Sequence, residues 1–275
     1  MKRELFAFVA GPIVIAAIVW LPAWVFLAVL TVAALLAGDE LLRMARASGI
    51  RTGRWAPGVC LAGVLVAAWL GASAGLAAAL AGAALVLPVV QLWHPERPTG
   101  SLAGTATACL TVLYVGVTAA SLGWLRQWPG DPAGVRLLLF FMVVIWIGDS
   151  GAYYLGRRFG RRRMSPRISP NKTWEGLAGG TAATVLAALV AMPVLEALIP
   201  GGGTVVWGHT VAMALILAVA APVGDLIESQ FKRDSGQKDS SALLPGHGGV
   251  LDRTDSLFFA APPILGYLLL AGLVP

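Results

Sequence analysis

The stretch from Ser229 to Asp255 concentrates more potential chemistry than any other part of the sequence. It sets cations beside carboxylates around a glycine-rich turn, and its charged and turn residues are Lys232, Arg233, Lys238, Asp239, Gly246, His247, Gly248, Gly249, Asp252, Arg253 and Asp255. Cations and exposed backbone N–H groups bind phosphate oxygens, and carboxylates bind a divalent cation. The stretch therefore predicts a site for a nucleoside triphosphate with a metal ion.

Carboxylates recur at helical spacing on both sides of this turn. One set, spaced i, i+3, i+4 and i+7, is Asp225, Glu228, Ser229 and Lys232, and the second is Asp252, Asp255 and Ser256. Each set lies on one helix face. If the two faces meet, Asp225 and Asp252 converge, with Asp149 and Asp255 as further candidates, and such hard oxygen ligands suit Mg²⁺ better than zinc. The alternative is that these acids form structural salt bridges with nearby Lys and Arg.

A second polar stretch covers residues 165–176, after the arginine-rich run from Arg157 to Arg163. The arginines alone are typical of an anchor on anionic lipid. Lys172 is different because it lies just before a predicted helix, and helix N-termini attract phosphate. The small residues Gly176 and Gly180, one turn apart, predict close helix packing rather than ligand binding.

The elements that position these residues are membrane helices. Hydrophobic residues make up 57% of the 275-residue chain and charged residues 12%, which is about half the charged fraction of a soluble domain. This excludes a water-soluble protein. The net charge of +6 is typical of cytoplasmic loops in a membrane protein rather than of nucleic-acid binding. Cys60 and Cys109 lie in apolar segments and are interpreted as small hydrophobes.

We predict an all-α polytopic membrane protein with about nine transmembrane helices, each near the 20 residues that cross a bilayer. The predicted spans are 5–20, 22–37, 56–71, 74–93, 102–124, 136–156, 174–199, 205–228 and 254–274. With the N-terminus in the cytoplasm and the C-terminus in the periplasm, only Arg126 and Arg136 of the 20 Lys and Arg residues fall on the outer side. This bias supports the orientation.

The chain divides by composition into two parts. Residues 1–135 are predicted to be N-terminal transmembrane helices that serve in packing and lipid contact. Residues 136–275 are predicted to form the catalytic transmembrane core, with cytoplasmic loops 157–173 and 229–253.

The pattern S-x-F-K-R-x4-K-D-x-S-x2-L-P-x-H-G-G-V-x-D-R-T-D, from Ser229 to Asp255, resembles the signature of the phosphatidate cytidylyltransferases, also called CDP-diacylglycerol synthases. It is long, charged and irregular in spacing, so chance occurrence is remote. The segments GDSGAYYLGRRFG, from Gly148, and SPNKTWEG, from Ser169, also resemble that family. The resemblance covers roughly residues 140–260.

The resemblance implies an inner-membrane enzyme of phospholipid biosynthesis that uses CTP and Mg²⁺ to convert phosphatidic acid into CDP-diacylglycerol and pyrophosphate. It implies metal binding by Asp225 and Asp252, beside a monovalent cation such as K⁺, and it is compatible with a homodimer. The implied nucleotide contacts come from the KR, KD and HGG elements, and the full predicted set is Ser229, Lys232, Arg233, Lys238, Asp239, His247, Gly248, Gly249 and Arg253. Lys172 and Asp149 would orient the lipid phosphate or complete the metal site.

Two other functions remain compatible with the residues. A CTP-dependent polyprenol kinase would transfer the γ-phosphoryl group and release CDP. An ion transporter would use Asp149, Asp225 and Asp252 as an intramembrane path, although it has no use for the clustered basic elements.

Overall fold

A computed structural model describes residues 2–71, 73–93, 100–127, 130–201, 204–243, 246 and 248–273. Within this part of the chain there are nine helices and one pair of short strands. The helices are α1 (Lys2–Trp20), α2 (Ala23–Ala47), α3 (Trp55–Trp69), α4 (Ser73–Leu92), α5 (Ser101–Gln127), α6 (Ala133–Phe159), α7 (Trp174–Leu198), α8 (Trp207–Asp234) and α9 (Leu251–Leu270), and the strands are β1 (Arg163–Ser165) and β2 (Ser169–Thr173). Each helix overlaps one predicted span.

The helices are those of a polytopic membrane protein. Among the described residues, six helices are long and apolar enough to cross a bilayer, namely α2, α4, α5, α6, α7 and α8. The apolar helices Gly11–Trp20, within α1, and Trp55–Trp69 are shorter. Helices satisfy their own backbone hydrogen bonds, which is why apolar sequences of this length adopt them in lipid.

The chain forms two compact units, each built from separated stretches. The first contains Met1–Leu5, Trp24–Trp124 and Phe231–Thr254, and the second contains Phe6–Ala23, Leu125–Gln230 and Asp255–Pro275. Ala34, Val64 and Val115 are fully buried in the core of the first unit. Phe141 and Phe258 are fully buried in that of the second.

Glycines allow α6 and α7 to pack backbone against backbone in the second unit. A Cβ atom added at Gly180 would lie 2.8 Å from the Cβ of Ala152, and one added at Gly176 would lie 2.9 Å from the Ala152 carbonyl oxygen. Neither distance is compatible with a real side chain at these positions. The predicted packing role of Gly176 and Gly180 is therefore confirmed.

A two-stranded antiparallel hairpin leads into α7, and the all-α prediction did not include it. Arg163 pairs with Thr173 and Ser165 with Ser169. The Thr173 hydroxyl accepts a hydrogen bond from the Gly176 N–H at 3.1 Å, which caps the helix. The hairpin and the cap fix the backbone on both sides of Lys172.

Candidate active site

In the second unit, Lys172 lies in β2, just before α7, and is held there by contacts with α8. Its ammonium lies 2.7 Å from a carboxylate oxygen of Asp225 and donates to the Pro222 carbonyl at 3.2 Å. Asp225 also accepts from the Ser229 hydroxyl at 3.2 Å, one turn further along α8. Three of the predicted site residues, Lys172, Asp225 and Ser229, are thus brought together.

Asp225 also belongs to a cluster of carboxylates in the same unit. Asp225, Glu228 and Asp255 each place one carboxylate oxygen within 4.8 Å of the other two. Gly224 allows this approach of α8 to α9, since a Cβ there would lie 2.7 Å from the Asp255 carbonyl oxygen. Two ligands on opposite sides of Mg²⁺ are separated by roughly 4 Å. The three oxygens therefore suit a hard divalent cation, whose charge would offset their mutual repulsion.

Glu228 is the member of this cluster that sequence reasoning left out of the metal set. Its side chain is fully buried, whereas Asp255, which was included, is 8% exposed. The sequence feature that could have identified Glu228 as a metal ligand was its position near Asp225 on the polar face of α8. A carboxylate inside an apolar helix was sufficient reason to include it.

Asp149 lies on α6 at the edge of a small cavity in the second unit. The cavity has a volume of about 20 Å³ and is also lined by Gly148, Gly180, Thr184 and Pro222. Among the described residues, Asp149 is not part of the close carboxylate cluster. Its predicted roles in metal binding and lipid orientation stay predictions.

In the first unit, Asp252 organises the polar stretch at the start of α9. One carboxylate oxygen accepts from Lys232 at 2.6 Å. The other accepts from the Ser240 N–H, the Ser240 hydroxyl and the Gly249 N–H, each at 2.8 Å. The Lys232 and Asp252 side chains are 12% and 5% exposed. A charged pair this buried is costly to break by removing one partner.

The backbone N–H groups of the glycine turn were predicted to bind phosphate, and the structure differs from that prediction in one respect. Gly246 and Gly248 have positive φ angles of 78° and 79°, which favour glycine and produce a tight turn. The Gly249 N–H, however, donates to Asp252. Gly249 therefore serves the internal structure of the loop in this conformation. His247 lies outside the described residues.

The remaining predicted nucleotide contacts lie on the surface of the first unit. Lys238, Asp239, Arg233 and Arg253 are all exposed, and one Arg233 guanidinium nitrogen donates to the Gln237 carbonyl at 3.4 Å. The three cationic side chains, Arg233, Lys238 and Arg253, are accessible to a phosphate in solution. Asp225 and Asp252 belong to separate units, and each has its own set of partners.

Glu40 on α2 is a residue of this region that sequence reasoning missed entirely. Its side chain is 2% exposed. It accepts hydrogen bonds from the hydroxyls of Ser240 and Ser241 and from the N–H groups of Val250 and Leu251. The N-terminal half, predicted to serve in packing and lipid contact, therefore also holds the polar stretch of the first unit.

These observations define a helical membrane protein with basic groups suited to phosphate and carboxylates suited to a divalent cation. The chain belongs to the cytidylyltransferase family, whose sequence model matches residues 1–271. The family match therefore includes the N-terminal half, where no specific resemblance was noted.

Several curated proteins are similar to this chain, and those described below are each named phosphatidate cytidylyltransferase. The one from Brucella suis is 42% identical over 199 residues, covering 72% of this chain and 67% of the relative. The one from Haemophilus influenzae is 44% identical over 143 residues, covering 50% and 48%. The one from Staphylococcus saprophyticus is 38% identical over 170 residues, covering 62% and 61%.

Proposed function

We propose that this chain transfers the cytidylyl group of CTP to phosphatidic acid, forming CDP-diacylglycerol and pyrophosphate. The observation that carries the proposal is a cytidylyltransferase family match over residues 1–271 in a chain with six long apolar helices. The nucleotide specificity follows from the family. The lipid substrate follows from the names of the relatives and from the membrane setting.

The reaction needs alignment and charge neutralisation more than proton transfer. A phosphate oxygen of phosphatidic acid, already anionic at neutral pH, attacks the α-phosphorus of CTP. A new P–O–P bond forms, and the bond between the α-phosphorus and the bridging oxygen breaks as pyrophosphate leaves with the electron pair. No general base is required, so positioning and electrostatic stabilisation supply the catalysis.

The basic residues of the first unit are proposed to bind the triphosphate. Exposed Arg233, Lys238 and Arg253 would neutralise its charge as it approaches, and Lys232 would stabilise the charge that develops on the leaving group. Lys172, in the second unit, would orient the lipid phosphate. Its contact with Asp225 supports this role because an ion pair holds the ammonium in place until an anion competes for it.

Mg²⁺ is proposed to be held by Asp225, Glu228 and Asp255, whose carboxylate oxygens fit a hard cation. When bound, the ion would offset the negative charge of the phosphates. The predicted ligand role of Asp252 stays a prediction, and a cation there would have to replace the Lys232 ammonium. A companion K⁺ ion also stays a prediction.

We further propose nine membrane spans, a cytoplasmic N-terminus and an active site facing the cytoplasm of a bacterial inner membrane. The distribution of Lys and Arg supports this orientation. A homodimer is compatible with it. Labelling of single introduced cysteines at Lys238 and Asp131 with an impermeant reagent should modify only the second in intact cells, and the reverse pattern would overturn the orientation.

The function is tested by incubating purified protein with CTP labelled in the cytosine ring, dioleoyl phosphatidic acid and Mg²⁺. The expected products are a labelled liponucleotide and pyrophosphate. Release of CDP with phosphorylation of an added polyprenol would instead identify a kinase. Absence of any CTP-dependent product under these conditions would contradict the proposal.

Replacing Lys232 with methionine should raise the KM for CTP by about 10-fold or more, because a cation is lost from the triphosphate site. The KM for phosphatidic acid should change little. Steady-state kinetics in detergent micelles measures both constants. An unchanged KM for CTP would remove Lys232 from the nucleotide site.

A further inference from the structure

Glu40 is a buried acid from α2, and its hydrogen-bond partners among the described residues lie about 200 residues further along the chain. Burying a carboxylate is costly unless hydrogen-bond donors replace its water. Four groups do so here. The distances to its oxygens are 2.9 Å from the Ser240 hydroxyl and 2.7 Å from that of Ser241. They are 3.0 Å from the Val250 N–H and 2.8 Å from the Leu251 N–H.

These donors come from both ends of one loop. Ser240 and Ser241 follow the KD element, whereas Val250 and Leu251 follow the glycine turn, and Leu251 is the first residue of α9. One carboxylate therefore ties together the two ends of the segment that carries the HGG element. Closing a loop in this way reduces the conformations open to its backbone, which lowers the entropy lost when a ligand binds.

Gly249 is needed for this arrangement. A Cβ atom added at Gly249 would collide with both carboxylate oxygens of Glu40 and with the Ser240 hydroxyl. The loop backbone thus lies directly against the acid.

The Ser240 hydroxyl links Glu40 to Asp252. Its oxygen lies 2.9 Å from Glu40 and 2.8 Å from Asp252. A hydroxyl has one proton, so it donates to only one of the two carboxylates at a time. If a ligand draws Asp252 away, the Ser240 hydroxyl can still donate to Glu40. The loop then stays attached to Glu40 although its contact with Asp252 is lost.

We propose that Glu40 is a positioning residue that holds the loop from Ser240 to Leu251 in the conformation that accepts CTP. This role rests on the proposed function, because it assigns the loop to the nucleotide rather than to the lipid. Glu40 touches neither reactant in this role. It acts through Ser240, Ser241 and the start of α9.

The most direct test is E40Q, which keeps the size of the side chain but replaces one acceptor oxygen with an NH₂ donor. At least one of the four protein donors then faces another donor. Loss of a supporting partner of this kind costs about 10- to 100-fold, which we expect in the KM for CTP. The KM for phosphatidic acid should change little, because the loop is assigned to the nucleotide. E40D, which keeps both acceptors on a shorter side chain, should recover part of the loss.

The matched control is D39N. Asp39 is the neighbouring acid on α2, and it pairs with three surface cations, Arg43, Arg46 and Arg54, at 2.5, 3.8 and 3.9 Å. Its substitution removes the same charge from the same helix without touching the loop, so CTP kinetics should not change. Equal effects of D39N and E40Q would overturn the proposal.

A second measurement does not depend on activity. Limited trypsin digestion should cleave E40Q faster than wild type after Lys238, which lies at the edge of the tethered loop. Cleavage after Arg43 should be unchanged. S241A, which removes one donor, should show the same change to a smaller degree even if E40Q folds poorly. Equal cleavage of the wild type, E40Q and S241A would overturn the proposal, whereas absence of CTP turnover in the wild type would contradict only the proposed function.

Discussion

Replacing Asp225 with asparagine should abolish cytidylyl transfer, lowering kcat by at least about 100-fold. The substitution removes a charge from two interactions at once. Asp225 contributes to the carboxylate cluster with Glu228 and Asp255, and it pairs with Lys172 at 2.7 Å. Loss of the charge would weaken the proposed Mg²⁺ site and release the residue proposed to orient the lipid phosphate. Turnover is measured with labelled CTP.

The control for this experiment is D234N. Asp234 is an exposed acid at the end of the same helix, α8, and its substitution should leave turnover unchanged. Both variants should retain the thermal transition of the wild type in detergent. Near wild-type turnover by a folded D225N would remove Asp225 from the site.

Replacing Asp252 with asparagine should lower kcat/KM for CTP by about 100-fold or more, the scale expected when a buried ion pair loses one partner. The asparagine oxygen can still accept from the N–H groups of Ser240 and Gly249. Its NH₂ group, however, would face the Lys232 ammonium, since Lys232 is 12% exposed and lies 2.6 Å from the carboxylate. The loop would keep part of its support while Lys232 loses its orientation.

A double-mutant cycle separates this interpretation from two independent losses. If Lys232 and Asp252 act as a pair, K232M combined with D252N should be little worse than the more damaging single variant. The free-energy loss of each variant is calculated from its kcat/KM for CTP. If the loss in the double variant equals the sum of the two single losses, the paired role is contradicted. Adding D234N to either variant provides the neutral comparison.

The helices could be predicted because apolar length alone specifies a membrane span. The ends of the helices could not. The second predicted span ended at residue 37, where the apolar run meets Asp39 and Glu40, but α2 continues to Ala47. Leu41, Leu42 and Met44 are buried on this extension, so tertiary packing carries the helix past the charges. This is why Glu40 was overlooked.

The sequence predicted most of the residues that make up the site, but only some of the contacts between them. Helical spacing placed Asp225 and Ser229 on one face, and their hydrogen bond at 3.2 Å confirms that arrangement. The same rule cannot pair residues from distant elements. The contacts of Lys172 with Pro222, and of Glu40 with Leu251, depend on tertiary structure. Similarly, the glycine turn suggested a free Gly249 N–H, which the Asp252 carboxylate binds.

The hairpin before α7 was missed for a different reason. Its strands have three and five residues, which is too short for a periodic pattern to stand out. Its stability depends on specific contacts instead. The Glu175 carboxylate accepts from the backbone N–H groups of Arg161 and Arg162, at 3.0 and 3.1 Å, and so ties the segment before β1 to α7.

The glycine contact between α6 and α7 restricts where the fatty-acid tails of a substrate can lie. Near Gly176 and Gly180 even one added methyl group has no space, so a hydrocarbon tail cannot pass between these two helices. A diacylglycerol moiety whose phosphate is at Lys172 must therefore extend along other helices of the bilayer-facing surface. The α6–α7 contact therefore bounds the path by which the lipid enters, and the lipid does not enter between these two helices.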